Sequence, residues 1–538
     1  VPAYYWSARK DTSMTIAKIG KITGPPGCGK TTELKRLIDA ASDLYFPNEI
    51  GVVSYTNAAV EEIRTRIVNT LSEEEKDLVQ NVRTLHSHCY RLIGRPPVGE
   101  GNLAQFNKER PEFAVGSGKV NPDENIPHKD HSRKSNDKLM NEMNQLRNQL
   151  VPPDEWMPDT QAFYKAWSEW LDYNGMVDYT GMIEQVMARK LCPKILILFI
   201  DEAQDLTPLQ YAVTKLWSEN ARSTTYAGDS DQCIFRFSGS RPEEFIELDH
   251  QWNKHLDQSY RVSPVVHGYG EAVVRQIQNR ENTIYKPSDK YGEGKVYTTL
   301  YPDLSLEGEH MIICRCNYQI NRWIKYLSDQ GLLWKNLYRP SNRGWNPLGT
   351  QSLETVRIFY TLLSGQEILM SDMQKMVKRL YAKDTMKHGA KGAFLGMQTH
   401  EAVGDKMLPY YCDLQDMPSL GFKQSFIDTI QNKKVDEIFK LTGIAAPALI
   451  KLPRDIVEFN SVVDNINITI GTIHSIKGGE ADHVWLDVGT SPIILKELLR
   501  DPLAMYDEAR VAYVAVTRAR RTLGLLLNYN WNPVLPRI

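Results

Sequence analysis

Short apolar stretches recur along this chain in two separate blocks. In the first they fall at Ile19–Thr23, Val52–Tyr55, Ile195–Ile200 and Thr224–Ala227. In the second they fall at Met311–Ile313, Ile468–Gly471, His483–Leu486 and Leu523–Leu526. Runs this short, separated by segments of helical character, predict buried parallel strands with helices on both faces of each sheet. Both blocks are interrupted. From 93 to 175 the chain turns polar, with a Lys-, Asp- and His-rich run over 128–138 that reads as a solvated loop, followed by a helical stretch, Gln161–Asp172. From 346 to 462 the pattern predicts helices and no clear strand. The expected organisation is two α/β cores, each carrying an inserted and mainly helical subdomain. The first core is 1–92 with 176–258, and its insertion is 93–175. The second is 259–345 with 463–538, and its insertion is 346–462.

Length and composition sharpen this only modestly. A chain of 538 residues is too long for one hydrophobic core. Its 42% hydrophobic and 24% charged residues are ordinary for a globular protein. The net charge of −2 gives no global basic field, so a polyanion would have to be met by a local basic or aromatic groove. Seven scattered cysteines, an odd count, suggest a reducing compartment. No apolar stretch reaches the length of a bilayer span and no secretory signal stands out, so a cytoplasmic setting is expected. The chain begins at Val1 rather than Met, which points to a processed or incomplete N-terminus.

Two signals carry the chemistry. Gly24-Pro25-Pro26-Gly27-Cys28-Gly29-Lys30-Thr31 fits the phosphate-binding loop pattern. Its glycines permit tight turns that aim backbone N–H groups at phosphate oxygens, and Thr31 and Thr32 open a helix whose positive end faces the same anion. Lys30 is expected on the β- and γ-phosphates and the Thr31 hydroxyl on Mg²⁺. The second signal is the apolar run Ile195–Ile200 ending in Asp201-Glu202-Ala203-Gln204. Asp201 is expected to hold the metal and Glu202 to orient and deprotonate water. Together the two signals imply a nucleoside triphosphatase.

Further blocks follow in order. They are Ser54-Tyr55-Thr56-Asn57-Ala58-Ala59, Arg83-Thr84-Leu85-His86-Ser87-His88, Ala227–Gly239 and Leu256–Arg261. Late in the chain stand Gly471–Glu480 and Ala512–Ala519. The ordered series resembles the UvrD/Rep-like DNA helicases of superfamily 1A, from Gly24 to Ala519. That resemblance implies two RecA-like motor domains with ATP and Mg²⁺ between them, movement along single-stranded DNA in the 3′-to-5′ direction, and unwinding at junctions of single and double strands.

It also implies residue roles. Arg261 and Arg518 would meet the γ-phosphate, and Gln232 would sense it. Tyr260 would stack on the adenine, and Glu480 would serve the ribose or the attacking water. Pro25 and Cys28 belong to the cradle with the glycines. Tyr55, Thr56, Asn57, His86, Phe235, Phe237, Thr472 and His474 would hold the strand. The chain departs from the family pattern in three places. No glutamine precedes the cradle in residues 1–30, Phe237-Ser238 replaces a Trp-Arg pair, and Gly478-Gly479-Glu480 replaces Gly-Leu-Glu. The first departure bears on selectivity for ATP. Such motors serve repair, replication or nuclease complexes, in a bacterial or phage-infected cell at the nucleoid. Alternatives left open are a motor subunit of a nuclease or defence complex with little unwinding of its own, and RNA as the track.

Overall fold

A computed structural model describes residues 18–54, 60, 64, 81–116, 131–278, 280–281, 284–336, 350–403, 406–432 and 456–538. Six strands, β1 (Ile19–Thr23), β2 (Ile50–Ser54), β3 (Val82–Thr84), β4 (Ile197–Ile200), β5 (Ser223–Gly228) and β6 (Trp252–His255), form one sheet in the order β3-β2-β4-β5-β1-β6. Every pairing is parallel. Period-two alternation divides β4 between two cores. Ile197 and Phe199 join Leu34, Leu37 and Ile38 of helix α1 (Lys30–Ser42) on one face. Leu198 and Ile200 join Leu209, Val213 and Trp217 of the helix Pro208–Asn220 on the other. That second helix is started by Thr207, whose hydroxyl accepts from Gln210 N while the Gln210 side chain accepts from Thr207 N.

Strands β4, β5 and β1 are neighbours, so three loops leave their C-terminal ends side by side: 24–29, 201–204 and 229–232. In a parallel sheet this edge is where ligands bind.

The inserted region is helical. Leu103–Glu109, His131–Asn148 and Pro158–Tyr173 enclose a core of Phe106, Met140, Met143, Phe163, Trp167 and Trp170. Residues 131–138 of the polar run are not a loop but the first turns of the helix His131–Asn148; residues 128–130 lie outside the described residues. Those turns are polar all round, and the apolar anchors Met140 and Met143 come later in the helix. Buried Arg147 ends this helix in ion pairs with Asp178 (2.5 Å) and Glu184 (2.6 Å).

A second parallel set runs Lys295–Thr299, Ala519–Leu526, Ala481–Asp487. The helix Pro502–Val516 feeds directly into the Ala519 strand and is buried over its last nine residues, Glu508–Val516. All of this belongs to one compact unit, residues 1–306, 313–316 and 472–538.

The other unit, residues 307–312 and 317–471, has its own core of Phe359, Met373, Met376, Phe394, Phe422 and Phe426. It is mainly helical, but it contains two short antiparallel pairs that the sequence pattern did not show. These are Ile368–Leu369 with Tyr411–Cys412, and His400–Val403 with Lys406–Pro409. Strands of two to four residues are too short to display a period. No described helix is long and apolar enough to cross a membrane.

Candidate nucleotide site and strand-binding face

The loop leaving β1 is shaped by close approach. Gly27 has φ 71°, and a Cβ there would lie 2.4 Å from Cβ of Arg261. Only glycine permits both the left-handed backbone and that contact. The Ser259 hydroxyl donates to Pro26 O (2.8 Å) and Tyr260 N to Gly27 O (2.9 Å), binding the 259–261 segment to the loop. Lys30 Nζ donates to Gly24 O at 2.7 Å and Pro25 O at 3.3 Å. Burial opposes its charge, but the acidic groups of Cys28, Asp229, Glu202 and Asp201 outweigh burial and hold its pKa above the ordinary lysine value.

Asp201 N donates to Val53 O (2.8 Å), fixing the end of β4, and Asp201 itself is buried. Glu202 follows with φ 54°, a left-handed conformation that L side chains rarely adopt and that concentrates at functional sites. Burial raises the Glu202 pKa, yet Lys477, Lys30, the bond from Gln204 and Arg518 together bring it below the usual carboxylate value, so it is ionised at neutral pH. The Thr31 hydroxyl and the Asp201 carboxylate are hard oxygen donors, the kind that Mg²⁺ accepts.

Side chains link the acid to the second parallel set. Gln204 Nε2 donates to the Glu202 carboxylate (2.5 Å), and Gln204 Oε1 accepts from Asp229 N (2.9 Å). Asp229 Oδ2 accepts from Gln232 Nε2 (2.6 Å), and Gln232 Oε1 accepts from Arg518 Nη2 (3.0 Å). A Cβ on Gly228 would stand 2.5 Å from Gln204 Oε1, so the chain of bonds depends on glycine there. Arg518 is buried and also donates to Val514 O (2.9 Å) and Gly479 O (3.0 Å).

Arg261 is ion-paired with Glu480, whose carboxylate also meets Arg520 at 2.9 Å. Burial raises the Glu480 pKa, but the two guanidinium groups outweigh it and keep the carboxylate below its usual value. Lys477 pairs with Asp205, donates to Gln232 O (2.9 Å) and lies 5.0 Å from the Phe235 ring centre. Burial pushes the Asp205 carboxyl up to about 7 against the pull of Lys477.

Part of this set lines a cavity of about 650 Å³. Gly27–Thr32, Glu202, Gln232, Tyr260, Arg261, Lys477, Glu480 and Arg518 are among the residues that line it. Tyr260 is 65% exposed, leaving its ring available to a planar ligand.

On the same unit Phe235, Phe237 and His474 form an aromatic cluster. Phe237 lies edge-on to His474 at 5.5 Å, and the two phenylalanine rings are 6.0 Å apart. Phe235 immediately precedes a single turn of 3₁₀ helix, Arg236–Ser238, and Phe237 lies within it. Phe237 is the more exposed ring.

Two further expected strand contacts, His86 and Thr472, make contacts within the protein. His86 packs edge-on to Tyr179 at 6.1 Å, and burial holds its pKa at about 4. Thr472 is fully buried, and its hydroxyl accepts from Ser475 N (3.3 Å), a turn-capping task inside the protein. Tyr55, Thr56 and Asn57 lie outside the described residues. Gln204, Asp205, Asp229 and Lys477 received no role from the sequence. Gln204, Asp229 and Lys477 stand inside the motifs, so their position was a signal; Asp205 is recognised only through its partner.

A phosphate loop, a strand-end acid pair and two arginines delivered beside a second parallel sheet define a P-loop nucleotide hydrolase of two RecA-like halves. Residues 9–253 match the UvrD/REP helicase N-terminal domain, and residues 423–530 match the UvrD-like helicase C-terminal domain. The chain belongs to the UvrD/Rep helicase family. It is similar to the ATP-dependent DNA helicase PcrA of Staphylococcus epidermidis, 20% identical over 589 residues, covering 92% of this chain and 79% of that protein. Against PcrA of Staphylococcus aureus the identity is 21% over 594 residues, with the same 92% and 79% coverage. A solved arterivirus nonstructural protein 10 helicase with DNA aligns over 96% of this chain and 62% of its own, at 12% identity and TM-score 0.31, too slight a likeness to bear on the fold.

Proposed function

We infer that this protein is an ATP-dependent DNA helicase that moves 3′-to-5′ along single-stranded DNA. The observation that carries the reading is the bond chain from Glu202 through Gln204, Asp229 and Gln232 to Arg518, because it makes the hydrolytic acid and an arginine of the second sheet parts of one site. A γ-phosphate bound there contacts both sheets, so its cleavage changes how strongly they are held together.

Lys30 binds the β- and γ-phosphates, and the backbone of Gly24–Gly29, with Pro25 and Cys28, forms the cradle that Thr31 and Thr32 close. Glu202 takes the proton of the attacking water. Arg518 and Arg261 stabilise the charge that develops on the phosphoryl oxygens, Arg261 by exchanging Glu480 for phosphate. Thr31 and Asp201 would hold Mg²⁺, which neutralises phosphate charge when bound. Tyr260 stacks on the base.

Phe235, Phe237 and His474 grip the strand by stacking, a contact indifferent to sequence and worth about 1–3 kcal/mol per base. The division into motors 1–92 with 176–258 and 259–345 with 463–538, and insertions 93–175 and 346–462, is part of this reading. So are action at single-strand/double-strand junctions, partners in repair or replication, and a cytoplasmic, nucleoid-associated setting.

The test is unwinding of tailed duplexes by the purified protein. A 3′-tailed duplex is opened with ATP and a 5′-tailed one is not. Preference for the 5′ tail overturns the polarity, and strong DNA-stimulated hydrolysis without strand separation would favour a motor subunit instead.

A further inference from the structure

A second cavity, also of about 650 Å³, shares no lining residue with the nucleotide cavity. Part of its lining is fixed by strand register. Lys295, Thr522 and His483 are partners across the adjacent strands Lys295–Thr299, Ala519–Leu526 and Ala481–Asp487, so their side chains leave one face of the sheet in a row. Two residues on, the same face carries Tyr297, Gly524 and Trp485. A Cβ on Gly524 would stand 2.3 Å from the Trp485 ring, so that ring lies over the glycine and meets Tyr297 edge-on at 6.4 Å. Between Ala519 and Thr522 the register slips by one residue against Ala481–His483, and Arg521 lies in this bulge. A bulge breaks the alternation of side chains, and this one lets Arg521 and Thr522 line the same cavity. The loop before the edge strand adds Tyr291 and Glu293, and it turns on Gly292 (φ 67°) and Gly294 (φ 77°). A Cβ on Gly294 would lie 2.0 Å from Ser263 Oγ, so the loop packs closer than any side chain there would allow.

Three kinds of group meet in this lining. Tyr291 and Tyr297 are rings suited to a planar partner. Arg521 and Lys295 are cations; the half-exposed Arg521 guanidinium lies 5.8 Å from the Tyr291 ring centre, with Asp482 at 3.6 Å, and Lys295 is exposed at the start of its strand. Glu293 and Asp303 are carboxylates. A nucleoside phosphate calls on all three together: a stack for the base, cations for the phosphate, and acceptors for sugar hydroxyls or a base amino group. We propose that this cavity is a second nucleotide site, which takes one nucleoside monophosphate unit. The base takes the ring of Tyr291, and the Arg521 guanidinium turns from that ring to the phosphate beside Lys295. Two lining cations beside two carboxylates match the charge of one phosphate rather than three. Among the described residues no phosphate loop lines this cavity, so the unit is held and not hydrolysed. A free nucleotide and the terminal nucleotide of a nucleic-acid strand present the same chemistry.

This site does not depend on the helicase reading above. In the experiment the full chain is saturated with a non-hydrolysable ATP analogue, which fills the phosphate-loop cavity, and AMP is then titrated by calorimetry. One further equivalent should bind. Tyr291→Ala, Arg521→Gln and Lys295→Gln should each weaken AMP about tenfold, the size of one lost stack or charged hydrogen bond. Melting temperature and DNA-free ATP turnover should stay at wild type in all three, which separates a lost site from a lost fold. Adenosine and ribose 5-phosphate each lack one half of the ligand and should bind about tenfold weaker than AMP or worse. A 5′-phosphorylated oligonucleotide distinguishes the two sources. If it displaces AMP, and Arg521→Gln weakens that displacement, the unit comes from a strand end; AMP binding that it leaves untouched assigns a free nucleotide. No saturable AMP binding once the first cavity is filled, or AMP affinity unchanged in all three variants, overturns the proposal.

Discussion

Arg518 and Gln232 stand at the ends of strands from different sheets and share one hydrogen bond, 3.0 Å long, beside the phosphate loop. Gln232 closes the loop that follows β5, and Arg518 opens the strand Ala519–Leu526. The amide uses its other end on Asp229, so a change at either sheet is felt at the acid pair.

Removing that amide should therefore cost hydrolysis more than binding. Gln232→Ala is expected to lower DNA-stimulated ATP turnover about tenfold or more while nucleotide affinity changes little, as for a group that acts in the transition state. Steady-state turnover beside equilibrium nucleotide binding checks it; equal losses in both would make Gln232 a binding group.

Lys30→Ala and Glu202→Gln separate the cradle from the base. Both are expected to reduce turnover by about 10³-fold. Lys30→Ala loses nucleotide affinity as well, whereas Glu202→Gln keeps it. Near-normal turnover in Glu202→Gln would remove its water-activating role.

Phe237 is the more exposed ring of the aromatic cluster. Phe237→Ala should weaken single-strand binding by about 1–3 kcal/mol and leave DNA-free turnover unchanged. Fluorescence anisotropy with a labelled oligonucleotide measures the first. An equal fall in both quantities would assign the ring to folding.

His88 gives a pH signature. It is buried against Trp217 (5.9 Å), and burial, helped by the nearby Arg83 and Arg91 charges, lowers its pKa from 6.5 to about 4. The folded state then binds fewer protons at this site than the unfolded state between those values. Its contribution to stability is full above pH 6.5 and is lost as pH falls toward 4, by about 3 kcal/mol. Between pH 7 and 4 the unfolding midpoint of wild type should fall by more than that of His88→Gln. A constant gap would contradict the assignment.

The phosphate loop and acid pair were legible because their chemistry is local: glycines, Lys30 and two adjacent carboxylates speak for themselves within a few residues. The central strands β4 and β5 were equally plain, being buried on both faces. Strands β3 and β6 and Lys295–Thr299 were not, because β3 has three residues and the other two are only half-buried. The pairs Arg280–Asp231, Arg236–Asp507 and Lys477–Asp205 join residues far apart in sequence, and only the fold brings them together. The resemblance placed Thr472 among the strand contacts; the sequence did not show that its hydroxyl is buried and accepts from Ser475 N.

The account stands on nucleotide held jointly by the two sheets, and Arg518→Ala tests that most directly. ATP turnover of this variant with saturating single-stranded DNA, measured alongside nucleotide affinity, should fall by about 10³-fold with affinity nearly kept. Turnover within a few-fold of wild type would contradict it.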